Sequence, residues 1–464
     1  MKASHLFGVF RHTSFLLLVV ALSLRTSPAF AENWPQFRGP QGNGSVAGAV
    51  PLTWDAKSNV RWKIPMNGEG WSCPVVWGQS VFVTAAVPAD GSNTTPSSDN
   101  PRFRGGGYRS DLTSKTFQWE VICIDAGSGK IRWRKTARTG KPSLPRHGLN
   151  TYATETPITD GERVYAYFGM TGLFCYSMDG KLLWNRDLGS YRMRAGWGTS
   201  SSPVLLDGRL FLQVDNEEQS FLVAIDTVSG EQLWRVNRSE PSQYSSPIIW
   251  KNSLRNELIV GGQFYRSYDP ATGKLLWELN MDRGRSSATP LAAGDRLYVG
   301  TELRNRGGSD DGGGYLFSIK PGGSGDISLP SGKDSSDVIQ WRIWNSGIQM
   351  ASPVLCTGKI YLLERRSSIL HCVDAETGQS TYRKRIPDAR AFWASPWTSG
   401  DMAFCLDSDG TTHVLAGGPE FRVLRTNELQ EQTWSSPAVA NGALYLRSTD
   451  HLFCIMDQSA TPGE

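Results

Sequence analysis

After Ala31 the chain alternates between short apolar-rich runs and polar turns, and long helical patterns are few. The stretch opening at Pro353 shows the rhythm. Pro353-Val354-Leu355 predicts a first strand, Thr357-Gly358 a turn, and Lys359–Leu363 a second strand. Ile369–Val373 predicts a third strand. Asp374-Ala375-Glu376-Thr377-Gly378 then makes a turn in which Asp bonds the backbone and Gly takes positive φ. A fourth strand follows.

This unit recurs. An apolar run follows Cys73-Pro74, Thr156-Pro157, Ser202-Pro203, Ser246-Pro247, Thr289-Pro290, Ser352-Pro353, Ser395-Pro396 and Ser436-Pro437. The steps between prolines are 83, 46, 44, 43, 63, 43 and 41 residues, and five of the seven match one four-stranded blade. The two long steps hold polar insertions, roughly residues 86–117 and 303–337, expected as surface loops. The Asp-x-x-Ser/Thr-Gly turn returns at Asp125–Gly129, Asp226–Gly230 and Asp269–Gly273. Four residues after its Gly stands Trp133, Trp234, Trp277 or Tyr382, and a shorter Asp179-Gly180 turn precedes Trp184. Trp133, Trp184, Trp234 and Trp277 are therefore expected to wedge between neighbouring blades. The last unit, from Ser436 to Ile455, has three strands, and residues 59–64 read as a fourth strand without its first three. Joining them closes a ring and removes two sheet edges. The expected fold is all-β: an eight-bladed propeller of four-stranded blades, with the last blade closed by the N-terminal strand.

The first residues read as an export signal. Lys2 and Arg11 precede the apolar run Ser14–Leu24, and Ala29-Phe30-Ala31 supplies small residues for cleavage after Ala31. The run is too short to span a bilayer, which takes about 20 residues. The expected layout is a signal peptide over 1–31, a lead segment over 32–58 and the propeller over 59–464. The product would be a periplasmic or secreted monomer without a membrane span. The whole chain has 48 basic and 44 acidic residues, and losing Lys2, Arg11 and Arg25 leaves 45 against 44. Such a balance offers no footprint for nucleic acid.

Seven cysteines in an exported chain raise the question of disulfides. Cys123, Cys175, Cys372 and Cys454 share one repeat position with Ala224, Ser267 and Ser318, a tight small-residue site where Cys acts as a small hydrophobe. Cys73 replaces the repeat Ser or Thr. Mostly free thiols are expected, with the state of Cys356 and Cys405 open.

Asp-x-x-Thr/Ser-Gly-x-x-x-Trp with Ser/Thr-Pro before it resembles the tryptophan-docked blades of the pyrroloquinoline quinone (PQQ)-like propellers. Trp34-Pro35-Gln36-Phe37-Arg38-Gly39-Pro40 and Thr156–Tyr165 resemble a bacterial branch of exported PQQ-binding-like repeat proteins. The resemblance covers about residues 34–456 and implies a fold that hosts dehydrogenases, assembly scaffolds and sensors alike. The dehydrogenase relatives carry two adjacent cysteines and a calcium ion beside the quinone. No Cys-Cys pair occurs here, and Glu155, Asp215, Asn216 and Glu217 are the nearest candidates for ion ligands. PQQ is thus a possible cofactor without the support of a cysteine pair, no metal site is expected, and no catalytic residue is assigned.

Other chemistry is sparse. No Cys-x-x-Cys-His for covalent haem, no phosphate loop, no metalloprotease His pair and no Gly-x-Ser-x-Gly elbow occur. Gly105-Gly106-Gly107 and Asp310-Asp311 lack the contexts that phosphate or calcium binding needs. His371, His413 and His451 fall in repeat strands, while His147 stands in the loop Arg146–Asn150.

The first strand of a propeller blade lines the central channel, so the residue three before each repeat proline should ring one mouth of the funnel. That ring is Trp71, Thr154, Ser200, Tyr244, Ser287, Met350, Trp393 and Trp434. Neighbouring loops add His147, Arg194, Arg285, Gln349 and Arg390. An aromatic sector beside donors suits a sugar ring, a quinone or an apolar side chain of a protein partner. The expected function is a non-enzymatic binding or scaffold protein. Alternatives are a PQQ-dependent oxidoreductase and an outer-membrane assembly-type scaffold or sensor.

Overall fold

The computed structural model describes Met1 and residues 33–96, 108–281, 287–301 and 314–457. The expected leader and its cleavage site lie outside these residues. The chain forms eight antiparallel blades of four strands, arranged as a β-propeller. Blade 1 comprises Val75–Trp77, Ser80–Pro88, Phe117–Asp125 and Ile131–Gly140. Blade 8 takes Ala438–Ala440, Ala443–Arg447 and His451–Ile455 from the C-terminal end, and Val60–Pro65 pairs antiparallel with its third strand. The ring therefore closes as the two incomplete ends of the repeat require.

The docking of blade on blade follows from the repeat residues. Trp62, Trp133, Trp184, Trp234 and Trp341 each lie under the turn glycine of the next blade: Gly129, Gly180, Gly230, Gly273 and Gly378. All five glycines have positive φ, and an added Cβ at any of them would stand 2.5–2.8 Å from an indole carbon. Each indole N–H donates to a carbonyl of the same turn, from Ala126, Met178, Thr227, Pro270 and Ala375, at 2.9–3.3 Å. On its own sheet each ring faces a small residue, respectively Cys454, Cys123, Cys175, Ala224 and Ser318. A β-bulge lies beside each of these pairs and turns the indole toward its neighbour. Trp277 differs because blade 5 lacks the Asp-x-x-Ser/Thr-Gly turn. Its N–H donates to the buried carboxylate of Glu257 at 2.7 Å.

All seven cysteines are free and buried. Cys356 and Cys405 belong to the core cluster shared by blades 6 and 7. Burial pushes the thiol of Cys356 up to about 11, so the free thiol is kept as a packing group.

The insertions depart from simple surface loops. The second strand of blade 1 runs on to Pro88 and the third begins at Phe117, with Thr94, Leu112 and Phe117 buried around them. The apolar positions at this end are enough to lengthen the blade. The stretch 303–337 contains the third strand of blade 5, Tyr315–Ile319. Beyond it, Gly325–Asp326 pairs in parallel with the outer strand of blade 4, Leu275–Asn280. That insertion covers a sheet edge that would otherwise be open.

The Ser/Thr-Pro dipeptides form a belt around the channel. The amides of Cys73, Thr156, Ser202, Thr289, Ser352 and Ser395 donate to the hydroxyls of Thr156, Ser202, Ser246, Ser352, Ser395 and Ser436, at 2.8–3.1 Å. The amide of Ser436 returns to the sulfur of Cys73. Proline comes next in the chain because it has no N–H to leave unpaired.

The lead segment enters this channel from the end opposite the mouth. Trp34 and Val76 exchange both backbone hydrogen bonds at 2.8 Å. The buried Arg38 donates to the Asn43 carbonyl at 2.8 Å and to that of Pro353, and burial lowers its guanidinium to about 9. Ser45–Val46 adds in parallel to the inner strand of blade 7, Trp397–Ser399. Beyond it Val50 and Trp54 are buried in the core cluster of blades 7, 8 and 1. The outer strand of blade 7, Val423–Glu428, has no docking indole, and Trp54 fills that region.

Candidate functional site

At the mouth, Trp71, Trp434 and Trp393 form a stack. Ring centroids are 4.8 Å apart at each step, with interplanar angles of 30° and 14°. The guanidinium of Arg365 lies 4.8 Å from the centroid of Trp393. Trp71 and Trp434 are 8% and 7% exposed, whereas Trp393 is half-buried. Two indoles therefore belong to the mouth's own core. The third has stacking partners in Trp434 and Arg365, so stacking holds the platform rigid.

The polar residues fall into two groups around it. Gln349 accepts the Arg365 backbone N–H at 2.9 Å, and Phe392 N–H donates to the Arg365 carbonyl at 2.9 Å. Arg390 is exposed, 3.4 Å from Asp409, and its backbone N–H is held by Asp407. On the other side Trp71 donates to the Leu149 carbonyl at 3.1 Å, and Leu149 donates to His147 Nδ1 at 3.1 Å. His147 stands edge-on to Trp197 at 6.3 Å, and Trp197 lies 5.9 Å from Tyr244. Arg194 is exposed, its backbone N–H held by Ser242 Oγ at 2.9 Å. Arg285 lies outside the described residues. Of the remaining ring positions, Thr154 bonds Asn150 and Ser200 bonds the Tyr244 carbonyl, while Ser287 and Met350 are half-buried. The sequence did not point to Arg365 or Trp197, since neither stands at a repeated position.

The candidate ion ligands have other partners. Asp215 forms a buried two-oxygen pair with Arg238 at 2.9 and 3.1 Å and also accepts from Gln213. Asn216 donates its amide to the carbonyls of Val214 and Gln219. Glu217 accepts from both the backbone and the hydroxyl of Ser242. Glu155 alone keeps a buried oxygen, Oε1, without a hydrogen-bond partner. Burial raises its carboxyl to about 7, opposed by a hydrogen bond from Thr199. A calcium ion needs six to eight oxygens, and this donor set does not fit one. Among the described residues no group of three His, Cys, Asp or Glu could hold a metal ion.

The strand histidines have separate partners, and His413 reaches the mouth loops, packing edge-on to Phe392 at 6.4 Å and sharing Asp407 with the Arg390 backbone N–H. Buried His371 meets Ser380 at 2.9 Å, and burial with Arg383 nearby lowers it to about 4. His413 is buried 3.3 Å from Asp407, and His451 lies 2.9 Å from Glu431.

A family model described as outer membrane protein assembly factor BamB matches residues 118–263. The match runs from the third strand of blade 1 to just beyond the second strand of blade 4. Among solved structures it is similar to BamB from Moraxella catarrhalis, with 14% identity, a TM-score of 0.52, and 74% of this chain and 90% of that one covered. It is also similar in fold to solved dehydrogenases. The quinohemoprotein alcohol dehydrogenase from Comamonas testosteroni shares 12% identity at a TM-score of 0.59, covering 95% of this chain and 83% of that one. A europium-containing methanol dehydrogenase shares 12% identity at 0.55, covering 89% of both chains. No curated protein matches the sequence. At such identities these structures share the fold with this chain, and chemistry must be argued from its own residues. Among the described residues no helix is long and apolar enough to cross a membrane.

Proposed function

We propose that this propeller is an exported, non-enzymatic binding protein that presents its funnel mouth to a protein partner, with a carbohydrate as the other class of ligand to test. The observation that carries the reading is the pairing of the mouth's polar groups. Asp215, Asn216 and Glu217 are held by Arg238, backbone carbonyls and Ser242, and take part in holding the loops. What reaches solvent is the half-buried Trp393 on its rigid stack with the exposed Arg390 in the same loop, and the exposed Arg194 on the other side of the mouth. Rigid aromatic groups rimmed by arginine are the composition of binding hot spots. The BamB description of the matched family supports a scaffold role.

The rival reading is a PQQ-dependent oxidoreductase. It lacks support from the ion-ligand set and from any adjacent cysteine pair. The mature protein incubated with PQQ and calcium should show no quinone absorbance and no dye reduction with alcohols or sugars. Turnover in that assay would replace the binding reading. The positive test is capture of envelope proteins and oligosaccharides by the wild type and by the Trp393→Ala/Arg390→Ala double variant. A partner lost in the variant at unchanged melting temperature supports the reading. Equal capture by both proteins refutes it.

A further inference from the structure

The channel end opposite the mouth is only half filled. Three inner strands there carry the lead segment, and they do so in one register. Val76, Thr159 and Thr398 each stand two residues after a repeat proline. Their amides donate to the carbonyls of Trp34, Pro35 and Gly44 at 2.8, 3.0 and 2.9 Å. In the hairpins of blades 3 and 5 this position falls opposite Leu210 and Leu297, one pair back from the turn-closing pairs Leu206–Arg209 and Ala293–Arg296. Antiparallel pairs alternate between bonded and non-bonded. The backbone groups at this position therefore point away from the hairpin and into the channel.

The same position in blades 3, 4 and 5 is Leu205, Ile249 and Ala292. These three residues line a cavity of about 390 Å³, which the lead segment closes on its other side with Gln36, Phe37 and Gly42. Among the described residues no protein acceptor pairs with the amides of Leu205 and Ile249, and the Ala292 carbonyl has only the side-chain amide of Asn43 at 3.5 Å. Leu205, Ile249 and Ala292 are half-buried, so their outward edges are reachable. The walls mix these apolar side chains with edge backbone groups, and Lys251 stands exposed at the rim.

We propose that this cavity binds an extended peptide segment of a partner protein by strand addition to the inner edge of blade 4, Ile248–Lys251. The occupant is specified by the molecule's own example. Ser45–Val46 already adds a strand to the equivalent edge of blade 7, in parallel, within the same channel. Main-chain pairing supplies the affinity, and Leu205, Ile249 and Phe37 supply contacts for alternate apolar side chains. The site rests on the channel register and is independent of the funnel mouth.

The test uses the full mature chain and a pool of acetylated, amidated hexapeptides with Val, Leu or Ile at alternate positions, read by fluorescence polarisation. Saturable binding is expected. Methylating the peptide nitrogens that face blade 4 should weaken it about tenfold per lost hydrogen bond. Ile249→Pro deletes an outward N–H without touching a ladder bond, a position where edge strands accept proline, and should weaken binding to a similar degree. Trp393→Ala should leave it unchanged, which separates this site from the mouth. If Ile249→Pro fails to fold, the N-methyl series on the wild type still decides. No saturable binding, or binding indifferent to backbone methylation, overturns the proposal.

Discussion

Gly230→Ala tests whether the docking of indole under glycine holds the ring of blades together. Gly230 sits at φ +70°, and a Cβ there would stand 2.5 Å from Trp184 Cδ2. The left-handed backbone costs an alanine about 1–2 kcal/mol. Overlap with a packed ring adds about 1–3 kcal/mol. The expected loss is therefore about 2–5 kcal/mol. Trp184→Ala alone should cost about 3–5 kcal/mol, because Trp184 is 9% exposed and its N–H holds the Thr227 carbonyl. In the Trp184→Ala background the overlap disappears, and Gly230→Ala should cost only its backbone share. The coupling between the two substitutions is then about 1–3 kcal/mol. Gly358→Ala is the control, since Gly358 has φ +72° and nothing within 4 Å of its added Cβ. It should lose the backbone share alone. Urea denaturation followed by circular dichroism gives these differences once reversibility and an unchanged slope are confirmed. Equal costs of Gly230→Ala with and without Trp184 would refute the docking argument.

Further outcomes follow from the same structure. Ser395→Ala should cost about 1–3 kcal/mol by leaving the buried Ser352 amide without its acceptor, and Ser395→Thr should restore it; an alanine variant as stable as wild type would show that the belt carries no energy. Glu155 is held at about 7 by burial, against about 4.3 in the unfolded chain. Between those values the folded chain keeps a proton that the unfolded chain releases, so stability falls as pH rises through the window and is level above it. Glu155→Gln should flatten that slope and gain about 3 kcal/mol over wild type at pH 8 relative to pH 4; parallel pH profiles of the two proteins would contradict it. A chain lacking residues 32–66 loses the outer strand of blade 8 and the channel segment, so it should aggregate; cooperative unfolding of a monomeric truncation, seen by calorimetry, would show that the ring closes another way.

The blades were legible because many units repeat one signal. Asp125–Gly129 and Trp133 say the same thing as Asp226–Gly230 and Trp234, and the small residue opposite each ring follows from the same packing. Trp341 escaped notice because residues 320–338 separate it from its strand partner, so the spacing from turn to indole is lost. The channel segment was legible only as a motif. Trp34–Pro40 occurs once, without periodicity, and its contacts reach Val76, Pro353 and, just beyond, blade 7. Trp71, Trp393 and Trp434 could be placed together from the closure of the ring. Their mutual burial, and the cover given by Arg365, depend on loop paths that no repeat dictates.

A propeller must satisfy the inner edge of every blade, and this chain does so unevenly. The belt of Ser and Thr hydroxyls serves the start of the inner strands of blades 1, 2, 3, 5, 6 and 7, and the Cys73 sulfur serves blade 8. Further along, among the described residues, only blades 1, 2 and 7 receive backbone partners, and these come from residues 34–46. The same segment goes on to place Trp54 beside blade 7 and Val60–Pro65 in blade 8. Closing the ring and choosing which channel edges stay open are thus one event in the chain. A peptide seated against Leu205, Ile249 and Phe37 would contact both the blades and the closing segment, so it binds the closed ring and not a ring whose lead segment has left. Mass action then requires it to oppose opening, by about 2.7 kcal/mol at a hundred times its Kd. Hydrogen exchange at the Trp34 and Val76 amides reads that directly. Protection there should rise with peptide concentration, and exchange rates that ignore a saturating peptide would separate the cavity from ring closure.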